Sequence, residues 1–310
     1  MERDLLKSGE EGSFFRGNLH CHSNRSDGQI EPEEVVGAYR DAGYDFICLS
    51  DHFEAEYGWQ ITDTRPLRDE NFTTIVGAEL SSAPWEKREC YWVTVAGVPL
   101  DFGPPPENDH AGAIRRAGNL GAFVIMLHPG LNNLPLAAAD KQPSLEAIHA
   151  VEIYNHHLAT LANPDGANGA YMLDGLLEKG RRLLVNAGDD AHFDDPKDRF
   201  GGWVEVHCDR LDPEALLQSL KAGRYYSTQG PSFRDLLLDG ERLRVETSEV
   251  YAIALTGGGD RWHSAEERTN GHGGLITEAN FDLAPFRDSY CRVTVVDLDG
   301  KRAWSNPIWP

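Results

Sequence analysis

GNLHCHSNRSDG (residues 17–28) sets His20 and His22 on either side of one cysteine, with Asp27 five residues beyond the second histidine. On an extended strand, residues two apart share a face. Both imidazoles can therefore enter one space while Cys21 turns to the other side. The same punctuation recurs along the chain. The apolar run DFICLSD ends at Asp51 and is followed by His52, TTIVGAE ends at Glu79, and GAFVIMLH ends at His128. AVEIYN runs into His156 and His157, and RLLVNAGDD ends at Asp190, two residues before His192. Each chemically capable residue sits at the carboxyl end of an expected strand.

Segments of helical character separate these runs. Glu31-Pro32 opens one that continues to Gly43, and another covers about 165–180. Alternation of this kind predicts parallel βα units. In a βα barrel the carboxyl ends of the strands converge on one face, where active sites are built. The expected fold class is thus α/β, a TIM-like barrel. From Tyr225 onward the pattern is nearly all strand, with Asp239-Gly240 and Asp299-Gly300 as hairpin turns. The expected division is a lead-in over 1–14, a barrel over 15–225 and a β-rich appendage over 226–310. The appendage tryptophans Trp262, Trp304 and Trp309 are expected to pack against the neighbouring domain.

With 50 acidic and 29 basic residues the chain carries a formal charge of −21, which disfavours duplex nucleic acid and anionic membranes as partners. Five scattered cysteines without a CxxC pair argue against a disulfide framework or a zinc ribbon. No signal-peptide run and no membrane-spanning run occurs, so the cytoplasm is the expected compartment. Imidazoles and carboxylates converging without thiolate suit Zn²⁺, Mn²⁺ or Fe²⁺, and a carboxylate such as Glu79 can bridge two ions. The histidines outside the strand-end group, His110, His149, His207, His263 and His272, are assigned no role.

As a set and in this order, His20-x-His22, Ser26-Asp27-Gly28, Asp51-His52, Gly77-x-Glu79, His128-Pro129-Gly130 and Asp190-x-His192 resemble the PHP (polymerase and histidinol phosphatase) superfamily over about residues 15–225. The resemblance implies a distorted (β/α)7 barrel holding two or three divalent ions for phosphoester hydrolysis. It implies that His20, His22, Glu79 and Asp190 hold one ion, that Glu79 and His128 share a second, and that Asp27, His52 and His192 hold a third. One departure matters. The family usually supplies a further histidine about a dozen residues after the bridging Glu, where this chain has Tyr91 or Trp92, so either the second site is weakened, the favoured expectation, or His156 or His157 replaces the missing ligand.

The expected substrate is a small phosphorylated molecule, hydrolysed by hydroxide generated at the ions. Arg25 and Arg199 are candidates for its remaining negative charge. His156 or His157 is the candidate for protonating the leaving group, and Asp51 and Asp189 read as orienting residues rather than ligands. The alternatives are an amidohydrolase-like C–N or lactone hydrolase, disfavoured because no strand-end motif contains lysine, and a catalytically idle metal-binding or sensing module.

Overall fold

The computed structural model describes residues 3–7, 11–84, 89–106, 109–258, 263–268 and 274–310, the side chains of 263–268 excepted. Trp262 and His272, and the side chain of His263, lie outside the described residues. In chain order the first part holds β1 (Arg3–Asp4), β2 (Ser13–Asn18), α1 (Pro32–Asp41), β3 (Phe46–Leu49), β4 (Thr73–Ser81), β5 (Trp92–Ala96) and α2 (His110–Asn119). It continues with β6 (Phe123–Leu127), α3 (Leu136–Ala139), β7 (Ala150–Asn155), α4 (Ala170–Glu178), β8 (Leu184–Gly188), β9 (Trp203–Cys208) and α5 (Pro213–Lys221). The remainder is β: β10 (Tyr225–Thr228), β11 (Phe233–Asp239), β12 (Arg242–Val250), β13 (Ala252–Gly257), β14 (His263–Arg268), β15 (Ile276–Asp282), β16 (Cys291–Val296) and β17 (Arg302–Trp304).

The local reasons are visible in the residues. Pro32 sits in the first turn of α1, Glu31 and Glu34 form a reciprocal capping box, and Val35, Val36 and Tyr39 make its buried stripe. Strands β3, β4 and β6 are buried along their whole length, as strands covered on both faces should be. Each aliphatic side chain so buried contributes about 1.5–3 kcal/mol before the entropy of ordering it is subtracted.

A thirteen-stranded mixed sheet runs in the order β14-β13-β16-β17-β10-β9-β2-β3-β4-β5-β6-β7-β8, beside a four-stranded sheet β1-β11-β12-β15. The pairs β2/β3, β3/β4, β6/β7 and β7/β8 are parallel. β5, however, lies antiparallel to both β4 and β6, and β9 lies antiparallel to β2. A uniform series of parallel units is therefore not what forms. β4 ends at Ser81 and β5 starts at Trp92, too short a connection for the crossover of a dozen or more residues that a parallel neighbour requires.

Beyond their ends the strands keep pairing. Cys21 bridges Ala191, with Asp190 donating its N–H to the His20 carbonyl at 2.8 Å and His22 donating to Ala191 at 2.9 Å, so the chain leaving β8 meets the chain leaving β2. His52 bridges Glu79 in the same way. These bridges gather the chemically capable residues at one place. At the other side, β10 pairs with β9 and with β17, so residues after 225 continue the same sheet, and β1 pairs with β11.

Candidate metal centre

His20 and His22 follow β2 and, as their parity requires, present their rings to one space. Cys21 faces away, packed with Val35, Val36 and Ile47. His20 Nε2 lies 3.2 Å from Glu79 Oε2 and 3.1 Å from Asp190 Oδ1, and His22 Nε2 lies 3.2 Å from each of the same two oxygens. Two imidazole nitrogens and two carboxylate oxygens so spaced fit a single ion about 2 Å from each donor, the distance zinc takes to such ligands. The four residues are buried. Glu79 Oε1 is likewise buried and has no hydrogen-bond partner, so the donor set has a lone pair to spare for a second cation. Asp190 and His128 adopt positive φ, 57° and 25°, strained for non-glycine residues and in keeping with a functional position.

Charge agrees with geometry. Burial alone would lower the pKa of His20, but the carboxylates of Asp190, Glu152 and Glu79 outweigh it and raise it well above the ordinary value. For His22 burial is likewise outweighed, by hydrogen bonds to Asp190 and Glu79, and its pKa is raised to about 10. Glu79 and Asp190 are held well below the usual carboxylate range, their burial overcome by the facing imidazoles. The cluster is a place where positive charge is wanted.

A second group shares His22. Asp27 Oδ2 lies 3.3 Å from Nε2 of both His52 and His192, while Asp27 Oδ1 is 3.5 Å from His22 Nδ1. The His22 ring stands 4.8 Å from that of His52 and 4.5 Å from that of His192, and Asp27 forms the half-open side of the group. His22, Asp27 and His52 have donor atoms close enough to hold an ion. The structure thus brings all eight sequence-derived ligand candidates together, His128 more loosely. Its Nε2 is 3.6 Å from Glu79 Oε1, and its ring lies 5.5 Å from that of His20 and 5.7 Å from that of Trp92. Tyr91 is buried on the other side of its strand, hydrogen-bonded to Ser144 at 2.7 Å.

The four other candidates divide. The His157 ring is 4.9 Å from that of His192, and its Nδ1 is buried without a partner. His156 turns away: Nδ1 bonds the Tyr154 hydroxyl at 2.8 Å, and the ring lies so close over Gly201 that no side chain would fit there. Arg25 pairs with Glu31 at 2.9 Å on the surface. Arg199 binds the Asp195 carbonyl and Asp198 and lies over Phe193 and Phe200. Neither guanidinium is committed to the cluster. Asp51 holds the loop after His22 by accepting from Ser23, Ser26 and Thr62, and Asp189 accepts the N–H groups of Phe200, Gly201 and Gly202.

Reading the sequence missed Glu152 and Asp198, and placed Asn155 at the strand end without its contacts to Glu152 and Asp190. Glu152 is buried, with Oε1 2.9 Å from His20 Nδ1 and Oε2 accepting from the His128 N–H at 2.9 Å and Asn155 Nδ2 at 3.0 Å. Asn155 Nδ2 also donates to Asp190 Oδ2 at 3.1 Å. The available signal was a lone acid inside the apolar run AVEIYN. Asp198 belongs to a further group with His157 and Asp194. Its Oδ2 already accepts the N–H groups of His192 and Phe193, which makes it a brace for that loop.

No protein-family model and no curated protein matches the sequence. Among solved structures, the chain is similar to a two-domain protein from Bacteroides vulgatus containing a predicted PHP-like metal-dependent phosphoesterase, at 16% identity, 96% coverage of both chains and a TM-score of 0.52. It is less similar to a candidate metal-dependent phosphoesterase from Bifidobacterium adolescentis, at 13% identity, 67% of this chain and 96% of that one, TM-score 0.42. An amidohydrolase from Chromobacterium violaceum with bound sulfate and no metal follows, at 14% identity, 57% of this chain and 87% of that one, TM-score 0.38. The fold of this chain is thus similar, over nearly its whole length, to that of a two-domain protein with a PHP-like metal-dependent phosphoesterase, the family its motifs resemble.

Proposed function

We propose that the chain is a metal-dependent hydrolase of small phosphoesters with a PHP-type barrel. The observation that carries this is the buried meeting of His20, His22, Glu79 and Asp190, whose spacing and charge suit a divalent cation. In this reading those four hold one ion, Asp27, His52 and His192 hold another on the open side, and His128 with the spare Glu79 oxygen holds a third weakly. Zinc, manganese or iron so bound supplies positive charge for phosphoryl oxygens and lowers the pKa of water.

The chain's own residues do the rest. Asp51 and Asp198 fix the two loops that carry Asp27 and His192, so the open side keeps one shape when substrate arrives. In this reading His157, whose ring lies beside that of His192, would pass a proton to the leaving oxygen. His156 is tied to Tyr154 and lies over Gly201. We read the substrate as small, because a formal charge of −21 disfavours a polyanionic duplex as partner.

The test is phosphate or alcohol release from a panel of phosphomono- and diesters by protein loaded with Mn²⁺ or Zn²⁺. Turnover by the wild type, falling to background in Asp190→Ala and His22→Ala while both variants keep the wild-type circular dichroism, is the expected result. Equal turnover in the variants would remove the centre from the reaction.

A further inference from the structure

Strand β7 contributes no ligand to the centre, yet two of its side chains touch three ligand-bearing segments. In a regular strand Glu152 and Asn155, three apart, would face opposite ways. Here the pairing with β8 slips. Glu152 faces Asn186 and Tyr154 faces Ala187, so β7 spends two residues where β8 spends one, and Ile153 is the extra residue of a bulge. Past the bulge, Asn155 points to the same side as Glu152, and the two side chains meet at 3.0 Å. The neighbouring strand leaves room for this. A Cβ on Gly188 would stand 2.7 Å from Glu152 Oε1 and 3.0 Å from the His20 Cβ.

We infer that Glu152 and Asn155 are positioning residues of the metal centre, brought to one face by the β7 bulge. The inference rests on the metal-centre reading above. Glu152 Oε1 takes the Nδ1 proton of His20, which fixes the tautomer that leaves Nε2 free toward Glu79 and Asp190. Glu152 Oε2 holds the backbone N–H of His128 in its strained conformation. Asn155 Nδ2 engages Asp190 Oδ2, which turns Oδ1 toward the two histidines, while Asn155 Oδ1 accepts the Leu158 N–H at 2.9 Å and cannot swap places with Nδ2. A carboxylate suits position 152 because it is surrounded by three donors and offers acceptors on both oxygens. Glutamine would turn an amide N–H₂ against one of them.

The experiment measures Zn²⁺ affinity of the full chain by competition with a chromophoric chelator, together with the melting temperature of the metal-free protein. Glu152→Gln and Asn155→Ala are each expected to weaken Zn²⁺ about 10–100-fold, as loss of a partner behind a ligating histidine does. In zinc-loaded wild type the His20 Nδ1–H proton resonance is expected far downfield, because its acceptor is a carboxylate, and in Glu152→Gln it is expected to move upfield. Should Glu152→Gln fail to fold, Asn155→Ala with its affinity decides. Folded variants that bind Zn²⁺ within twofold of a binding wild type overturn the positioning role and leave the metal centre standing. A wild type that binds no Zn²⁺ overturns both.

Discussion

In the proposed reading, single side chains set how many ions the centre would hold. Trp92 occupies the strand position beside His128, so the spare oxygen of Glu79 meets one imidazole where the family pattern supplies two. Metal content of the purified wild type is therefore expected to show fewer than three tightly held ions per chain, and Trp92→His should raise the count by one. Three equally tight ions in the wild type would end the idea of a weakened site. The histidines and acids of the centre were legible in the sequence because strand parity and strand ends are local properties. The meeting of Glu152 and Asn155 was not, because parity places them on opposite faces and only a bulge, set by pairing with a distant strand, brings them together.

Among the elements, α1 was readable at both ends from Pro32 and Gly43, since proline and glycine impose their conformations locally. α4 begins at Ala170 rather than near 165, because Asn163 caps a separate 3₁₀ turn over Pro164–Ala167 and the chain then passes Gly169 close against the Glu152 carbonyl. The antiparallel placement of β5 could have been suspected from its short connection to β4. His149, just before β7, accepts the Val124 N–H on Nδ1 at 3.1 Å and so ties β7 to β6 as a neutral ring. Its pKa is lowered, by burial and then by Lys221. The unfolded chain then takes up the proton first, so the contribution of His149 to stability is full above about pH 6.5 and is lost as pH falls from there through its lower folded pKa. Urea denaturation at pH 7.5 and pH 5.5 should show a loss in the wild type that is smaller in His149→Gln. Equal losses would mean that the ring is protonated in the fold.

At the scale of the molecule, the residues after 225 are fastened to the rest by more than a chain connection. Arg292 on β16 makes two hydrogen bonds, 2.8 and 2.7 Å, to Asp174 on α4, and both side chains are largely buried. Trp304 is buried and stacks on Tyr154, the residue that holds His156, while Trp309 lies against Tyr290 beneath Arg182. Removing one partner of a buried ion pair leaves the other uncompensated, so Arg292→Ala is expected to cost about 3 kcal/mol in denaturant unfolding. A loss under about 1 kcal/mol would show that water reaches the pair freely. The packing of Trp304 and Trp309 was expected from the sequence, whereas the Arg292–Asp174 pair was not legible from residue order alone, since it joins positions 118 apart. β10, hydrogen-bonded along both edges, has a further bearing on how the chain keeps to itself. Ending the chain at 225 would leave β9 paired with β2 alone and expose an open row of N–H and C=O groups along its other edge. A segment outside the candidate centre thereby guards the protein against aggregation.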